Sequence, residues 1–165
     1  QKVRLHLRKV GFARDSSGTL VLSVGSKDAI RAAHESQRAE RSAKQREFLL
    51  SKLPKLIKHF AIGAEIQPCA ISPYLQRVKS GTWQADLFKL ASLTWSVPVS
   101  PGFGRRLRYL VWDRGHERLM GILAIGDPVF NLRARDTYIG WTGEQRASQL
   151  IHTMDAYVLG AIPPY

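Results

Sequence analysis

Two apolar runs separated by a short polar segment constrain the fold of this 165-residue chain more than any other feature. The runs cover residues 106–112 and 119–125, and the polar residues 113–117 lie between them. Two strand-length apolar runs joined by a turn-forming segment with a glycine are typical of a β-hairpin. The sequence therefore predicts a hairpin here, and with it a sheet in the second half of the chain.

The rest of the chain predicts helices first and strands later, which defines the α+β fold class. We expect a helical N-terminal half followed by a mostly antiparallel sheet with a packed helix. The helices are predicted at 1–9, 27–58, 83–93 and 143–152, and the further strands at 19–23, 137–141 and 156–162. Residues 61–81 are predicted to form a loop with short extended pieces, and residues 95–104 are predicted not to form a regular helix. These patterns divide the chain into a basic helical region (1–60), a loop-rich connection with a short helix (61–104) and a sheet core (105–165).

The termini of two helices carry recognisable signals. Ser26 is predicted to cap the long basic helix, and Thr142 is predicted to precede the helix that begins at Gly143. Pro54 suits the start of a helix better than its interior, so we expect a kink or break between Leu50 and Leu53.

The basic residues are concentrated at the N-terminal end. The chain has 25 Lys and Arg against 13 Asp and Glu, a net charge of +12, and counting along the sequence places +9 of this in residues 1–58. A basic helix near nucleic acid releases condensed counterions and gains affinity independent of sequence. The same pattern also fits a solvated helix with ion pairs such as Glu40 with Lys44, or a scaffold for an acidic protein partner. The candidate nucleic-acid-binding residues are Arg31, Arg38, Arg41, Lys44, Arg105, Arg106, Arg133, Arg135 and Arg146.

Most familiar catalytic motifs are absent. There is no phosphate-binding P-loop motif and no nucleophile-elbow serine, and the single Cys69 excludes a disulfide framework or a multi-cysteine metal site. We therefore predict no cofactor and no metal site. The candidate catalytic residues are Asp136, Asp113 and His116. A proton relay through His116 and a solvated turn histidine remain alternatives, as does a metal nuclease-like site built on the carboxylates of the sheet half.

Residues 132–141 form the most distinctive local string, which contains Arg133, Arg135, Asp136 and Trp141. In one interpretation, Asp136 pairs with an arginine and anchors a loop, and Trp141 belongs to the core. In the other, the arginines bind a phosphate or carboxylate, and Trp141 is a platform for stacking.

Several strings taken together resemble the DruA family, named after a component of the bacterial Druantia anti-phage defence system. They are Leu87-Phe88, Trp95–Ser100, Gly102–Arg106, Leu123–Leu132, Arg135-Asp136, Ile139–Trp141 and Ala156–Tyr165. The resemblance implies a cytoplasmic bacterial protein that acts in phage defence or mobile-element biology, in some systems beside a large helicase. It also implies that the chain is truncated after Tyr165, and it supplies no catalytic residue.

The predicted order of hairpin, strand, helix and strand is also similar to the acetyltransferase-like (GNAT) fold. In that fold, backbone amides after the fourth strand bind a coenzyme pyrophosphate. Because the loop that would do so is absent, we expect no acyl carrier to bind here by that route. The likeness is one of fold, and it leaves an acyltransferase-like function open. No apolar segment reaches the length of a membrane span, and the N-terminus lacks the apolar core of a signal peptide.

Overall fold

The computed structural model describes residues 2–9, 12–22, 27–95, 99 and 104–165, with the backbone alone for residues 6, 9, 22, 27–33, 36 and 37. The predicted cap Ser26 and most of the predicted irregular segment 95–104 lie outside these residues. The helices are α1 (Lys2–Lys9), α2 (Lys27–Lys44), α3 (Arg46–Leu56), α4 (Trp83–Leu93), α5 (Arg133–Ile139) and α6 (Gly143–Gln149). The strands are β1 (Phe12–Arg14), β2 (Leu20–Leu22), β3 (Pro73–Arg77), β4 (Arg106–Asp113), β5 (Arg118–Gly126) and β6 (Asp155–Ala161). Short 3₁₀ helices cover Ile57–His59, Gly63–Glu65, Pro68–Ala70 and Leu150–His152.

The chain divides into two compact units, Gln1–Ser51 with Leu93–Pro98, and Lys52–Ser92 with Val99–Tyr165. In the first unit, β1 and β2 pair antiparallel, and the Asp15 carboxylate closes their turn. It accepts hydrogen bonds from the backbone N–H groups of Ser17 at 2.9 Å and Thr19 at 3.0 Å. Such an aspartate at a turn replaces part of the missing backbone pairing. None of the helices among the described residues is both long and apolar enough to cross a membrane.

The long basic helix is interrupted earlier than the sequence predicts. Helix α2 ends at Lys44 and α3 begins at Arg46, so the break lies at Gln45 and the predicted break between Leu50 and Leu53 is wrong. Pro54 lies inside α3, two residues before its end. Its missing N–H leaves the carbonyl of Leu50 without a helical partner, but Leu50 is exposed, so water can bind that carbonyl.

The second unit contains a four-stranded antiparallel sheet with strand order β3-β4-β5-β6. The predicted hairpin is confirmed as β4 and β5, and the predicted helix 83–93 is confirmed as α4. Paired residues of one sheet face, Leu110 with Ile122 and Ala124 with Val158, are fully buried. Helix α4 adds Leu87, Phe88, Leu90 and Ala91 to the buried apolar residues. The α+β class is therefore confirmed.

The predicted strand 137–141 is wrong, because these residues belong mainly to helix α5. Gly140 ends the helix with φ at +83°, a conformation that glycine adopts without strain, and the N–H groups of Gly140 and Trp141 both donate to the carbonyl of Asp136. Tyr138 and Ile139, which suggested a strand, are exposed on the helix surface. The order on which the acetyltransferase-like expectation rests is therefore not formed, and that fold is not confirmed.

Candidate functional site

Asp113 lies at the end of β4, fully buried, and accepts four hydrogen bonds. One carboxylate oxygen accepts from the backbone N–H groups of Ser72 at 2.8 Å and Gly115 at 3.0 Å. The other accepts from the Tyr165 hydroxyl at 2.9 Å and pairs with His116 Nδ1 at 2.5 Å. A side chain at position 115 would clash with the backbone, because its Cβ would lie 1.9 Å from the carbonyl oxygen of Ala70. The carboxylate therefore joins the hairpin turn to two other segments of the chain.

Burial alone would raise the pKa of Asp113, but the hydrogen bonds from Ser72, His116, Tyr165 and Gly115 outweigh it and lower the pKa to about 2. Burial and the neighbouring carboxylate raise the pKa of Tyr165 to about 12. At neutral pH, Asp113 is ionised and Tyr165 is protonated.

His116 uses both ring nitrogens. Its Nδ1 faces Asp113, and its Nε2 lies 3.0 Å from the backbone N of Gln67, whose N–H donates to it. The side chain is only 12% exposed, so the expected solvated turn histidine is wrong. A general base needs a nitrogen that can reach a substrate proton. Because Gln67 occupies that nitrogen, the geometry favours a positioning role, and a proton relay stays a prediction.

Asp136 forms ion pairs with two arginines, Arg135 and Arg146. Arg135 donates to one carboxylate oxygen from Nε at 2.9 Å and from a terminal nitrogen at 2.7 Å, and Arg146 donates to the other at 3.0 Å. Arg135 also donates to the carbonyls of Val129 and Phe130 at 2.7 and 2.9 Å. Although burial opposes it, the hydrogen bonds and charges of both arginines lower the pKa of Asp136. These contacts favour the anchoring interpretation.

Aromatic rings lie within cation–π distance of both arginines that pair with Asp136. The Arg135 guanidinium lies 5.8 Å from the ring centre of Trp141, and that of Arg146 lies 4.8 Å from the ring of Phe130. Trp141 is half-buried and is therefore neither a core residue nor a fully open stacking platform. An open cleft of about 460 Å³ lies beside Asp136 and Trp141.

The second unit contains three further candidate arginines, of which Arg133 also lines the cleft beside Asp136. Arg105 is held by Asp127, with its Nε 2.6 Å and its backbone N 2.7 Å from the carboxylate oxygens. Arg106 lies 4.1 Å from the ring centre of Tyr157, and Arg133 is exposed on α5. Within the described residues, no three His, Cys, Asp or Glu side chains are grouped so that they could hold a metal ion.

The candidate cations of α2 are partly paired. Arg38 pairs with Glu35 at 2.5 Å and Lys44 with Glu40 at 2.7 Å, while Arg41 donates to the carbonyl of Trp95 at 2.9 Å. Arg31 lies in α2, but its side chain is outside the described residues. The ion pair predicted between Glu40 and Lys44 is confirmed. Exposed pairs of this kind contribute about 0–1 kcal/mol each, so they do not prevent a cation from meeting a phosphate.

Three exposed cations follow on α3 and the turn after it. In the part of the chain that the structure describes, no carboxylate lies within ion-pair distance of Arg46, Lys55 or Lys58. Lys52, between them, pairs with Asp86 at 2.7 Å. The structure therefore adds three exposed cations without a carboxylate partner among the described residues to those predicted on α2.

Three rings from separate segments meet beside the hairpin turn. His59 stacks on Trp83 with 4.9 Å between ring centres, and the two rings meet Trp112 at 5.4 and 6.2 Å with steeply inclined planes. They line an open pocket of about 540 Å³, here called the aromatic pocket. Its polar lining includes Lys58, Tyr74, Gln76, Arg114, Glu117 and Arg118. Sequence reasoning missed this pocket, because no local spacing indicates that these three rings converge.

This chain is similar to proteins of a known family. The family described as "Druantia protein DruA" matches residues 25–165. The chain is 61% identical to the Druantia protein DruA of Escherichia coli (strain UMEA 4076-1) over all 165 of its residues, and it spans 41% of that protein's length. No solved structure matches. The chain belongs to the DruA family.

Proposed function

We propose that this chain is a nucleic-acid-associated component of a Druantia anti-phage defence system and that it binds DNA or RNA phosphates through the basic helical segment. The observation that carries the proposal is the set of exposed cations Arg46, Lys55 and Lys58, which have no carboxylate partner among the described residues. They lie at the end of a region that holds most of the net charge of +12. Unpaired surface cations can each neutralise a phosphate and release its counterion.

Membership of the DruA family supports the defence context. We propose that the protein acts in the bacterial cytosol beside other defence proteins, such as a helicase that supplies or consumes single strands. Since the chain spans 41% of its E. coli relative, these partners belong to the proposal for the whole protein.

An enzymatic site near Asp136 and Trp141, acyltransferase-like or nuclease-like, has one supporting observation. Arg146 lines the cleft beside Asp136, and its Nε atom is buried without a hydrogen-bond partner among the described residues. The paired state of Asp136 opposes a catalytic role for it, and the acetyltransferase-like arrangement lacks the predicted strand 137–141. Phosphate binding is therefore the proposal with more support.

Charge reversal on α3 tests the proposal. The variant with Arg46→Glu and Lys55→Glu is matched by Arg77→Glu with Lys79→Glu, two other exposed cations. Each reversal removes two charges, so both double variants carry +8 in place of +12. We expect the α3 variant to weaken binding of random-sequence DNA and RNA and to lower the magnitude of the salt slope by about 1.4 to 1.8, since two phosphate contacts are lost.

The measurement is fluorescence anisotropy with a labelled oligonucleotide across a salt series. Equal weakening in the two double variants would mean that net charge alone matters and would reject α3 as the binding element. Unchanged nucleic-acid affinity in the α3 variant, together with lost binding to an acidic peptide, would instead favour the scaffold alternative.

A further inference from the structure

We propose that the aromatic pocket is a stacking subsite for one unpaired base of a single nucleic-acid strand, with the adjoining phosphates held by Lys58 and Arg114. This inference rests on the proposed function and adds the form of nucleic acid and the residues that contact it. The sequence patterns pointed to Lys58 but not to the rings, and the subsite lies wholly within the second unit of the chain.

Trp83 supplies the accessible ring. It is 46% exposed, whereas Trp112 is 5% exposed and its indole N–H donates to the side-chain oxygen of Gln76 at 2.9 Å. The buried Trp112 and the half-buried His59, which stacks on Trp83, therefore hold this indole in place. An indole that is so exposed, yet held by two neighbouring rings, offers a rigid flat surface on which a base can stack at low entropic cost.

Three cations line the same pocket as Trp83: Lys58, Arg114 and Arg118. Lys58 and Arg114 are exposed, and the Arg114 guanidinium lies 5.2 Å from the ring centre of Tyr74. Arg118 is 33% exposed, and its nearest carboxylate, that of Glu65, is 3.7 Å away. These three positive groups face two carboxylates in the lining, Asp113 and Glu117. Asp113 is buried and already bonded to four donors, so Glu117 is the carboxylate that a phosphate would meet.

The imidazole of His59 contributes a neutral ring. Burial, followed by the positive charges of Lys58 and Arg118, lowers the pKa of His59 below 6.5. The ring is therefore uncharged at neutral pH, which suits stacking against Trp83 and leaves the phosphate contacts to the lysine and the arginine.

The shape of the pocket selects a single strand. In a duplex, each base is stacked between its neighbours and presents only its edges, so a ring-walled pocket cannot reach its face. An unpaired base exposes that face, and the volume of about 540 Å³ is in the range of pockets that take ligands of nucleotide size.

The test uses two strands of equal charge, an oligothymidylate of about 12 nucleotides and an abasic oligonucleotide of the same length, because only the first has bases to stack. The 165-residue chain is compared with Trp83→Ala, with Trp83→Phe, which keeps a ring, and with Tyr138→Ala. Tyr138 is 93% exposed and lies outside the pocket, so it controls for the loss of a surface aromatic ring.

We expect the unsubstituted chain to prefer the thymidylate strand. Trp83→Ala should lose about 5- to 150-fold in affinity for that strand, the range for one stacked base, with no change for the abasic strand. Trp83→Phe and Tyr138→Ala should keep most of the preference. Quenching of tryptophan fluorescence by the thymidylate strand should disappear in Trp83→Phe.

Two results overturn the subsite. One is equal affinity of the unsubstituted chain for both strands, which would leave phosphate binding intact and reject stacking. The other is unchanged quenching of tryptophan fluorescence when the Trp83→Phe variant binds the thymidylate strand, in a protein whose thermal unfolding transition shows that it is folded. Failure of the chain to bind either strand at low salt would reject the proposed function itself, and with it the subsite.

Discussion

At residue scale, Asp113 is the carboxylate most dependent on the folded state. Its pKa of about 2 lies below the usual 3.8, so it contributes stability above pH 3.8 and that contribution is lost as the pH falls toward 2. The pKa values of three other carboxylates are also lowered, so the stability that they contribute is likewise lost at low pH: Asp15, Asp127 and Asp136.

We expect Asp113→Asn to flatten the fall in unfolding free energy between pH 4 and pH 2, measured by urea denaturation. The control is Asp155→Asn, an exposed carboxylate. If Asp113→Asn does not fold, Tyr165→Phe is the alternative variant. It keeps the Asp113 carboxylate and removes one hydrogen-bond donor, which raises the pKa of Asp113 in the folded state toward 3.8. If neither variant changes the fall in unfolding free energy between pH 4 and pH 2, the proposed role of Asp113 in acid stability is wrong.

Asp136 is a second residue with a clear structural prediction. Replacing its carboxylate with an amide would leave Arg135 and Arg146 close together without a counter-charge. We therefore expect Asp136→Asn to lower Tm clearly, while Asp155→Asn leaves it nearly unchanged. A folded Asp136→Asn protein with unchanged Tm and lost activity in a phage-defence assay would instead favour the enzymatic alternative.

At element scale, α6 has the clearest sequence signal. The Thr142 hydroxyl accepts from the N–H of Gln145 at 3.2 Å, and the Gln145 side chain accepts from the N–H of Thr142 at 2.9 Å, which forms a capping box. Thr142→Ala should cost about 0.5–2 kcal/mol of unfolding free energy. Thr142→Ser should retain most of it.

Thr137→Ala is the matched control for the cap, since Thr137 is an exposed threonine inside α5. Alanine favours a helix there, so stability should stay the same or rise slightly. Equal losses in Thr142→Ala and Thr137→Ala under chemical denaturation would show that the cap contributes nothing specific.

The elements that sequence patterns predicted are those with local signals. The hairpin, α4, β6 and the start of α6 follow from apolar runs and caps, and the structure confirms them. Helix α5 was missed because its short apolar string resembles a strand, whereas Gly140 and the ion pairs of Asp136 fix a helix. The predicted position of the helix break was wrong, because α3 tolerates Pro54 near its end and the chain breaks at Gln45 instead.

The candidate sites divide in the same way. The pairing of Asp136 with an arginine could be read from adjacent residues. The four donors to Asp113 come from residues 72, 115, 116 and 165, and the rings of the aromatic pocket come from residues 59, 83 and 112. Contacts between such distant positions depend on strand register and helix packing, which periodicity does not specify.

At the scale of the whole molecule, the distribution of charge is the central observation. Residues 1–58 carry a net charge of +9, and the buried carboxylates Asp113 and Asp136 are already paired with donors and arginines. We therefore propose that exposed cations bind phosphate, while the buried carboxylates stabilise the fold.

The most direct test is the salt dependence of affinity for random-sequence single-stranded nucleic acid. If Arg46, Lys55 and Lys58 each neutralise one phosphate, the plot of log affinity against log salt should have a slope of about −2 or steeper. No binding at low salt, or an affinity that does not change with salt, would contradict the proposal that this chain binds nucleic acid through its basic helical segment.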